Sequence, residues 1–335
     1  MVDFLVGREN MTPLMTLGFF TDLHARNDTP TSRTDDFRNS ILTKLHESGE
    51  IFKKANVDCV LFGGDLGHTP DPSYSLANAI VRELRRWELP IIGVVGSHDY
   101  FGYQKMTIER TIIGTMVAAG IMQLVDENDI ETIFSKDSNT RVIITGSRHQ
   151  YDSVDYPERL NHKYIDDGAL LQIQLVHCDL FHEYVPWRHL LIENIKTESD
   201  LVLSGHIHSG WKDPIKINDT TFFNPGSIGR LEKSKIQRIP RVLIINIYGR
   251  KEFSIESVYL SSALINPFKD SEEKDLEEYT SQDISKLINF IESADVEITD
   301  VKQLLLEFSK KEKYSKKSVE IAFELLETAK TLKGE

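Results

Sequence analysis

Aspartate and histidine stand in this sequence where short apolar runs end. Asp22 and His24 follow the run at 15–20, and Asp65 and His68 follow the run at 57–62. Ser97, His98 and Asp99 follow Ile91-Ile92-Gly93-Val94-Val95-Gly96. Further on, His177 closes the run at 171–176, and His206 and His208 lie in Ser204-Gly205-His206-Ile207-His208, beyond the run at 201–203. A single carboxylate or imidazole after a strand is ordinarily a helix cap or a surface group, but five strand ends with the same chemistry ask for one explanation. Imidazoles mixed with carboxylates, without a thiolate cluster, suit manganese, iron or zinc rather than a calcium cage or a structural zinc site. A set of roughly seven donors, one carboxylate able to bridge, suits two divalent ions that bind a phosphate together and make water acidic enough to attack near neutral pH. The expected reaction is in-line phosphoryl transfer to water, with a remaining histidine stabilising charge on the phosphate or protonating the leaving oxygen.

These groups need elements that deliver them to one place. Short β-rich runs alternate with helical patterns over the first part of the chain, which predicts an α/β fold. After the run at 15–20, Phe37, Ile41, Leu45 and Phe52 recur at near-helical spacing. Asp71-Pro72 then reads as the start of a second helix, with Asp71 as N-cap and Pro72 in the first turn, and Leu76, Ile80, Leu84 and Trp87 mark its apolar face. Further strands are expected at 141–145, 171–176, 201–203, 221–223, 242–247 and 253–259. Many strands and few long helices beyond residue 140 predict two packed sheets. In open α/β sheets ligands bind beyond the carboxyl ends of the strands, so the polar residues above can converge. Gly64, Gly96 and Gly205, each directly before such a residue, fit turns in which the backbone comes close to its neighbours.

The texture changes near Pro267. An acidic stretch at 270–278 is followed by three amphipathic patterns carrying Ile284, Leu287, Ile288 and Ile291, then Val301, Leu304, Leu305 and Phe308, then Val319, Ala322, Phe323 and Leu326. We expect a core at 1–265 and a linker with a small helical module at 266–335. Two cysteines, Cys59 and Cys178, argue against a disulfide framework and for a reducing compartment. With no long apolar run or signal peptide in view, a cytoplasmic protein without a membrane partner is expected. The net charge of −13 disfavours a protein that coats DNA by neutralising phosphates. Arg82, Arg85 and Arg86 lie together on the second helix, a run that is more often a solvated face.

The segments Thr21-Asp22-Leu23-His24, Gly64-Asp65-Leu66-Gly67-His68, Gly96-Ser97-His98-Asp99, Val176-His177-Cys178 and Gly205-His206-Ile207-His208 resemble, in order, the motifs of the calcineurin-like metallophosphoesterase superfamily. Two further segments narrow the resemblance. Gly64-Asp65-Leu66-Gly67-His68, followed by a Pro-Ser helix start, and Pro225-Gly226-Ser227 are similar to segments of the break-repair nucleases, bacterial SbcD and the meiotic-recombination-eleven proteins. That resemblance implies a four-layer αββα sandwich, manganese-dependent exonuclease and endonuclease activity on DNA, and an ATPase partner of the SbcC type. It places Asp22, His24 and His208 on one metal, His177 and His206 on the other, and Asp65 between them; Fe2+ and Zn2+ are alternatives to Mn2+. It gives His98 the leaving group, His68 the scissile phosphate, and Asp99 the task of orienting His98. Arg230 reads as a surface loop arginine.

Ser97 departs from the family, in which an asparagine carboxamide ligates the second metal. A serine hydroxyl is shorter and a poorer neutral donor, so the second ion is expected to be held more weakly, through Ser97 directly or through water. The expected function is a DNA nuclease. A small-molecule phosphodiesterase or phosphatase acting, for example, on cyclic nucleotides is the alternative, because the metal chemistry is the same. A third reading is a weakly active scaffold whose C-terminal helices dock on an ATPase, with Leu304, Leu305, Phe308, Phe323 and Leu326 as contacts. A homodimer is also expected. The reduced cap region after Asn266 leaves end specificity open.

Overall fold

The apolar runs are strands, and they lack polar alternation because most are covered on both faces. A computed structural model of the 335-residue chain describes residues 12–264, 267 and 268, less 128, 136–139, 151–156, 161–165, 167, 187 and 232–237. The chain divides into two units, Met1–Asp270 and Ser271–Glu335. The second unit, and with it the three C-terminal helix patterns, lies outside the described residues.

The first sheet contains β1 (Met15–Phe20), β2 (Cys59–Phe62), β3 (Ile91–Gly93), β4 (Gln123–Leu124), β13 (Arg241–Gly249) and β14 (Glu252–Tyr259), in the order β14-β13-β1-β2-β3-β4. Strands β1 to β4 run parallel, and β13 and β14 extend the sheet in antiparallel fashion. The second sheet contains β5 (Ile130–Phe134), β6 (Arg141–Ser147), β7 (Leu171–His177), β10 (Leu201–Gly205), β11 (Ile215–Ile217) and β12 (Thr220–Phe223), in the order β11-β12-β10-β7-β6-β5. Its strands β6, β7, β10 and β12 are parallel. A two-stranded pair, β8 (Leu180–Phe181) with β9 (Leu190–Leu191), stands beside it.

The two-residue period of the strands divides the core in two. Leu17, Phe19, Cys59, Leu61, Ile92, Leu243 and Ile245 pack with Ile144, Leu171, Ile173, Leu175 and Leu203 of the second sheet. Their neighbours Phe20, Val60, Phe62, Ile91, Val242 and Ile244 pack with the helices α1 (Phe37–Lys54), α2 (Tyr74–Trp87) and α3 (Ile112–Ala118). The expected apolar face of α1 is the buried one, since Phe37, Ile41, Leu45 and Phe52 are all fully covered. On the second sheet, Gln174 donates through Nε2 to the Leu160 carbonyl at 2.8 Å, so its chain-mates at 157–160 satisfy a buried amide there. The architecture is the sandwich expected from the sequence.

Two local expectations are corrected. The second helix begins later than Asp71-Pro72, because Ser73 is its cap: its Oγ accepts from Leu76 N at 3.4 Å, and Asn27 Nδ2 donates to the same oxygen at 2.6 Å. Arg230 is buried, at 3% exposure, and donates through Nη2 to the Ala263 carbonyl at 2.7 Å. Arg82, Arg85 and Arg86 are exposed, and Arg86 pairs with Glu83 at 3.1 Å, which makes this helix face a solvated one. Cys59 and Cys178 are free and buried.

One buried cation sits awkwardly in α1. Lys44 is 1% exposed, its Nζ has no hydrogen-bond partner, and burial together with Arg33 and Arg230 lowers it to about 7. Between about 7 and its ordinary 10.5, the unfolded chain holds a proton that the folded one has released, so Lys44 makes stability rise with pH across that window. Lys44→Met removes this rise and is expected to stabilise the fold at pH 7 by about 1–3 kcal/mol. Denaturant titrations of both proteins at pH 7 and pH 10 check this; a less stable variant contradicts it.

Candidate metal centre

The parallel strands point their carboxyl ends to one rim of the sandwich, and the residues beyond β1, β2, β3, β7 and β10 meet there. The loops after β1 and β2 are zipped together by backbone bonds: Asp22 N to Gly64 O (2.9 Å), His24 N to Asp65 O (3.0 Å), Ala25 N to Leu66 O (3.1 Å) and His68 N to Ala25 O (2.9 Å). To make these bonds and still turn their side chains to the rim, Asp22, His24 and Asp65 take positive φ values of 53°, 47° and 60°, and His206, beyond β10, takes 76°. Aspartate and histidine enter this region more readily than most residues, and such backbone clusters at functional sites. Gly64, at φ 98°, occupies a conformation that other residues rarely adopt, and a Cβ on Gly96 would lie 2.2 Å from Asp65 Oδ1. Both glycines let the loops close on the carboxylates.

The result is a dense set of donors. Asp22, His24, Asp65 and His177 are at most 1% exposed. His24 Nε2 lies 2.8 Å from His208 Nε2, 3.4 Å from Asp65 Oδ2 and 3.7 Å from Asp22 Oδ1. His208 Nε2 is 3.6 Å from Asp22 Oδ1, and His177 Nε2 is 3.3 Å from Asp65 Oδ2. Ligand atoms of Asp22, His24, Asp65 and His208 all lie within 4.8 Å of one another, as do those of Asp65, His177 and His206. Asp65 is common to the two groups. Ser97 also reaches the centre, its Oγ donating to Asp65 Oδ2 at 3.3 Å.

This set fits divalent cations. His177 Nδ1 bonds to the Gly63 carbonyl at 2.6 Å, which makes Nδ1 the protonated nitrogen and turns a lone pair on Nε2 inward. That Nε2 is buried and faces Asp65 Oδ2 at 3.3 Å. The carboxylates meanwhile demand positive charge. Burial opposes ionisation of Asp65, yet the charges of His177 and His24 hold it well below the usual carboxylate range. Asp22, likewise buried, is brought to about 2 by its bond to His24 and the charges of His177 and His208. In return, and against the effect of burial, Asp65 lifts His24 and raises His177 to about 10. Cations coordinated at the same atoms answer that demand with the imidazoles neutral.

The outer residues are tied to this centre. His206 N donates to both oxygens of Asp22 at 3.1 Å, and Thr21 Oγ1 donates to Asp22 Oδ2 at 2.6 Å. The Asn-Pro-Gly-Ser segment is a buttress beneath the last histidines: Asn224 Nδ2 donates to Ile207 O at 3.1 Å, and Ser227 N donates to His208 O at 3.1 Å. His98 and His68 stand together at the rim, their rings stacked with centroids 5.2 Å apart. Burial and the charge of Arg26 lower His68 to about 4, so it is neutral at pH 7.

The expected role of Asp99 is corrected. His98 Nδ1 bonds instead to the His68 carbonyl at 2.7 Å, and His98 N donates to Asp65 Oδ1 at 2.7 Å. The Asp99 carboxylate accepts from Asp65 N (2.8 Å), Leu66 N (2.9 Å) and Gly96 N (2.8 Å). Burial and the charge of Asp65 push it up to about 6 despite these bonds. Asp99 therefore clamps the loop after β3 to the loop after β2; it does not hold the His98 ring. Two residues absent from the sequence reading also belong here: His149, beyond β6, and Asp179, two residues after His177. Their ligand atoms lie within 4.8 Å of each other and of His206. Burial and the charge of His177 lower His149 to about 3, so it is a neutral imidazole. The strand-end logic that found the others points to His149 once β6 is extended to Ser147.

A two-sheet sandwich with two overlapping Asp/His groups at its strand ends is the framework of a metal-dependent phosphoester hydrolase. Residues 15–247 match the calcineurin-like phosphoesterase superfamily domain, and the chain belongs to that superfamily. A search of curated proteins returns no match. Among solved structures, the chain is similar to an archaeal phosphodiesterase at 16% identity, over 73% of this chain and 100% of that one, with a TM-score of 0.36. A dimetal phosphatase from Danio rerio aligns at 13% identity over 73% and 99%, with a TM-score of 0.46. The calcineurin-like phosphoesterase YfkN from Bacillus subtilis aligns at 16% over 72% and 90%, with a TM-score of 0.44. Among the described residues no helix is long and apolar enough to cross a membrane.

The corrected position of Asp99 has a measurable consequence. In Asp99→Asn an amide N–H₂ is set against buried N–H donors, which is expected to cost about 2–4 kcal/mol in denaturant unfolding. Wild-type stability combined with slowed turnover would contradict the clamp and return Asp99 to His98.

Proposed function

We propose that the chain hydrolyses phosphodiester bonds with two divalent ions, most readily Mn2+, and that its substrate is DNA, in the manner of the SbcD-type nucleases. The observation that carries the hydrolytic part is the shared Asp65, whose carboxylate lies 3.4 Å from His24 Nε2 and 3.3 Å from His177 Nε2. Asp22, His24 and His208 would hold one ion and His177 and His206 the other, with Asp65 between them and Ser97 alongside. Ions so held supply charge neutralisation at the phosphate and a nucleophile from water at neutral pH.

The remaining steps belong to the chain's own side chains. With Nδ1 committed to the His68 carbonyl, His98 has Nε2 as the ring atom that gives a proton to the departing oxygen. Its backbone N–H, bound to Asp65, fixes the ring relative to the centre. His68, neutral at pH 7, would meet the phosphate as an N–H donor rather than as a cation. Asp99 acts only by holding the two loops at their spacing.

The resemblance of the Gly-Asp-Leu-Gly-His segment to the break-repair nucleases is what supports DNA as substrate. The net charge of −13 and the solvated arginines of α2 favour the second reading, a small phosphodiester that needs no long basic groove. Docking of an SbcC-type ATPase through the C-terminal helices, a homodimer and a cytoplasmic site of action belong to the same proposal.

Mn2+-dependent digestion of end-labelled single- and double-stranded DNA, run beside bis-p-nitrophenyl phosphate and cyclic nucleotides, tests it. We expect DNA cleavage that chelation abolishes and that His98→Ala slows by about 10²–10⁴-fold. Turnover of cyclic nucleotides with intact DNA would select the second reading, and equal rates for wild type and His98→Ala would remove His98 from the chemistry.

A further inference from the structure

The dinuclear reading leaves one position poorly filled. On the second ion a family member presents an asparagine carboxamide, whereas this chain presents Ser97, whose hydroxyl is already turned to Asp65 Oδ2 at 3.3 Å. A serine Oγ stands one bond from Cβ, against two for a carboxamide oxygen, and a neutral hydroxyl is a weak donor to a divalent ion. The ligand set would be short beside the loop after β3, which carries Ser97.

Another histidine is bonded to that loop from across the sandwich. His149 leaves the end of β6 and is held by the same loop that carries Ser97: His149 N donates to the Val95 carbonyl at 2.9 Å, and Tyr100 Oη donates to the His149 carbonyl. Its ring centroid is 5.0 Å from that of His206 and 6.0 Å from that of His177, the two histidines of the second group. The residue is 6% exposed, and its Nδ1 is buried with no hydrogen-bond partner. Buried side-chain polar atoms are satisfied in the large majority of cases. Asp179 adds a carboxylate from the segment of His177, its Oδ1 lying 3.3 Å from His206 Nε2.

We propose that His149 and Asp179 are ligands of the second metal ion, with His149 supplying the donor that Ser97 is too short to give. The inference rests on the dinuclear reading above. The second ion would then draw on two groups that share His206, one of Asp65, His177 and His206 and one of His149, Asp179 and His206. This set, richer in imidazole than the first, suits a borderline transition metal such as iron or zinc over magnesium or calcium. The serine is accordingly a compensated exchange, and the loop from Val95 to Tyr100 is the part that couples the two positions.

The test is metal binding to the full chain, read by calorimetric titration with Mn2+ and by the visible absorption of bound Co2+. The wild type is expected to take up two ions. His149→Gln should weaken the second by about 10–100-fold, shift the Co2+ spectrum and leave the first ion in place, by the scale on which lost metal partners act. Asp179→Asn should weaken the same ion. Ser97→Asn introduced into His149→Gln should restore most of the lost affinity. If His149→Gln does not fold, Asp179→Asn decides, because that side chain is 32% exposed and its replacement leaves the core intact. Two ions bound with wild-type affinity and spectrum in both variants would overturn the inference while leaving the dinuclear reading standing. A wild type that binds no ion would end both.

Discussion

Two fully buried carboxylates, Asp22 and Asp65, constrain the rest of this molecule. Charge removed from water is costly unless it is met by opposite charge and hydrogen bonds. Here the compensation comes from imidazoles on both sheets and from backbone N–H groups of His206 and His98, at 2.7–3.7 Å. That arrangement holds only if the loops after β1, β2, β3, β7 and β10 are brought to one point and kept there. The architecture can be understood as the means of doing so.

Its devices are local and physical. Parallel strands in both sheets end at the same rim, covered on each side by apolar residues that fix their register. The loops carrying Asp22 and Asp65 bond to one another along their length, at the cost of positive φ at three site residues. Asp99 draws a third loop against them, and the Asn224–Ser227 segment supports the turn of His208 from below. His177 crosses between the sheets to the Gly63 carbonyl. Each link orients a donor without itself occupying the centre. Loss of any of them would be felt as a change in the spacing of ligands rather than as a missing ligand.

The sequence carried much of this, for reasons that differ by residue. Strands such as 15–20 and 171–176 were legible because burial on both faces leaves uninterrupted apolar runs, and Asp22, His24, Asp65, His177, His206 and His208 were legible because they interrupt those runs with one chemistry. The face of α1 followed from its period. Other features depend on three-dimensional contacts that spacing does not encode. Asp99 adjoins His98 in sequence, but its carboxylate is claimed by backbone donors from two other loops. Ser73 displaced Asp71 as helix cap through an oxygen that Asn27 also binds. Arg230, in a loop that reads as exposed, is buried against Ala263. His149 stood beyond the expected end of its strand, and nothing in its neighbours signals that its ring turns toward His206.

The central claim is that these carboxylates are arranged for a pair of cations sharing Asp65. Diffraction from crystals grown with Mn2+, collected at the manganese absorption edge, tests it most directly. Two anomalous peaks roughly 3.5–4 Å apart on either side of the Asp65 carboxylate are the expected result. A single peak, or peaks away from Asp65, would contradict the account.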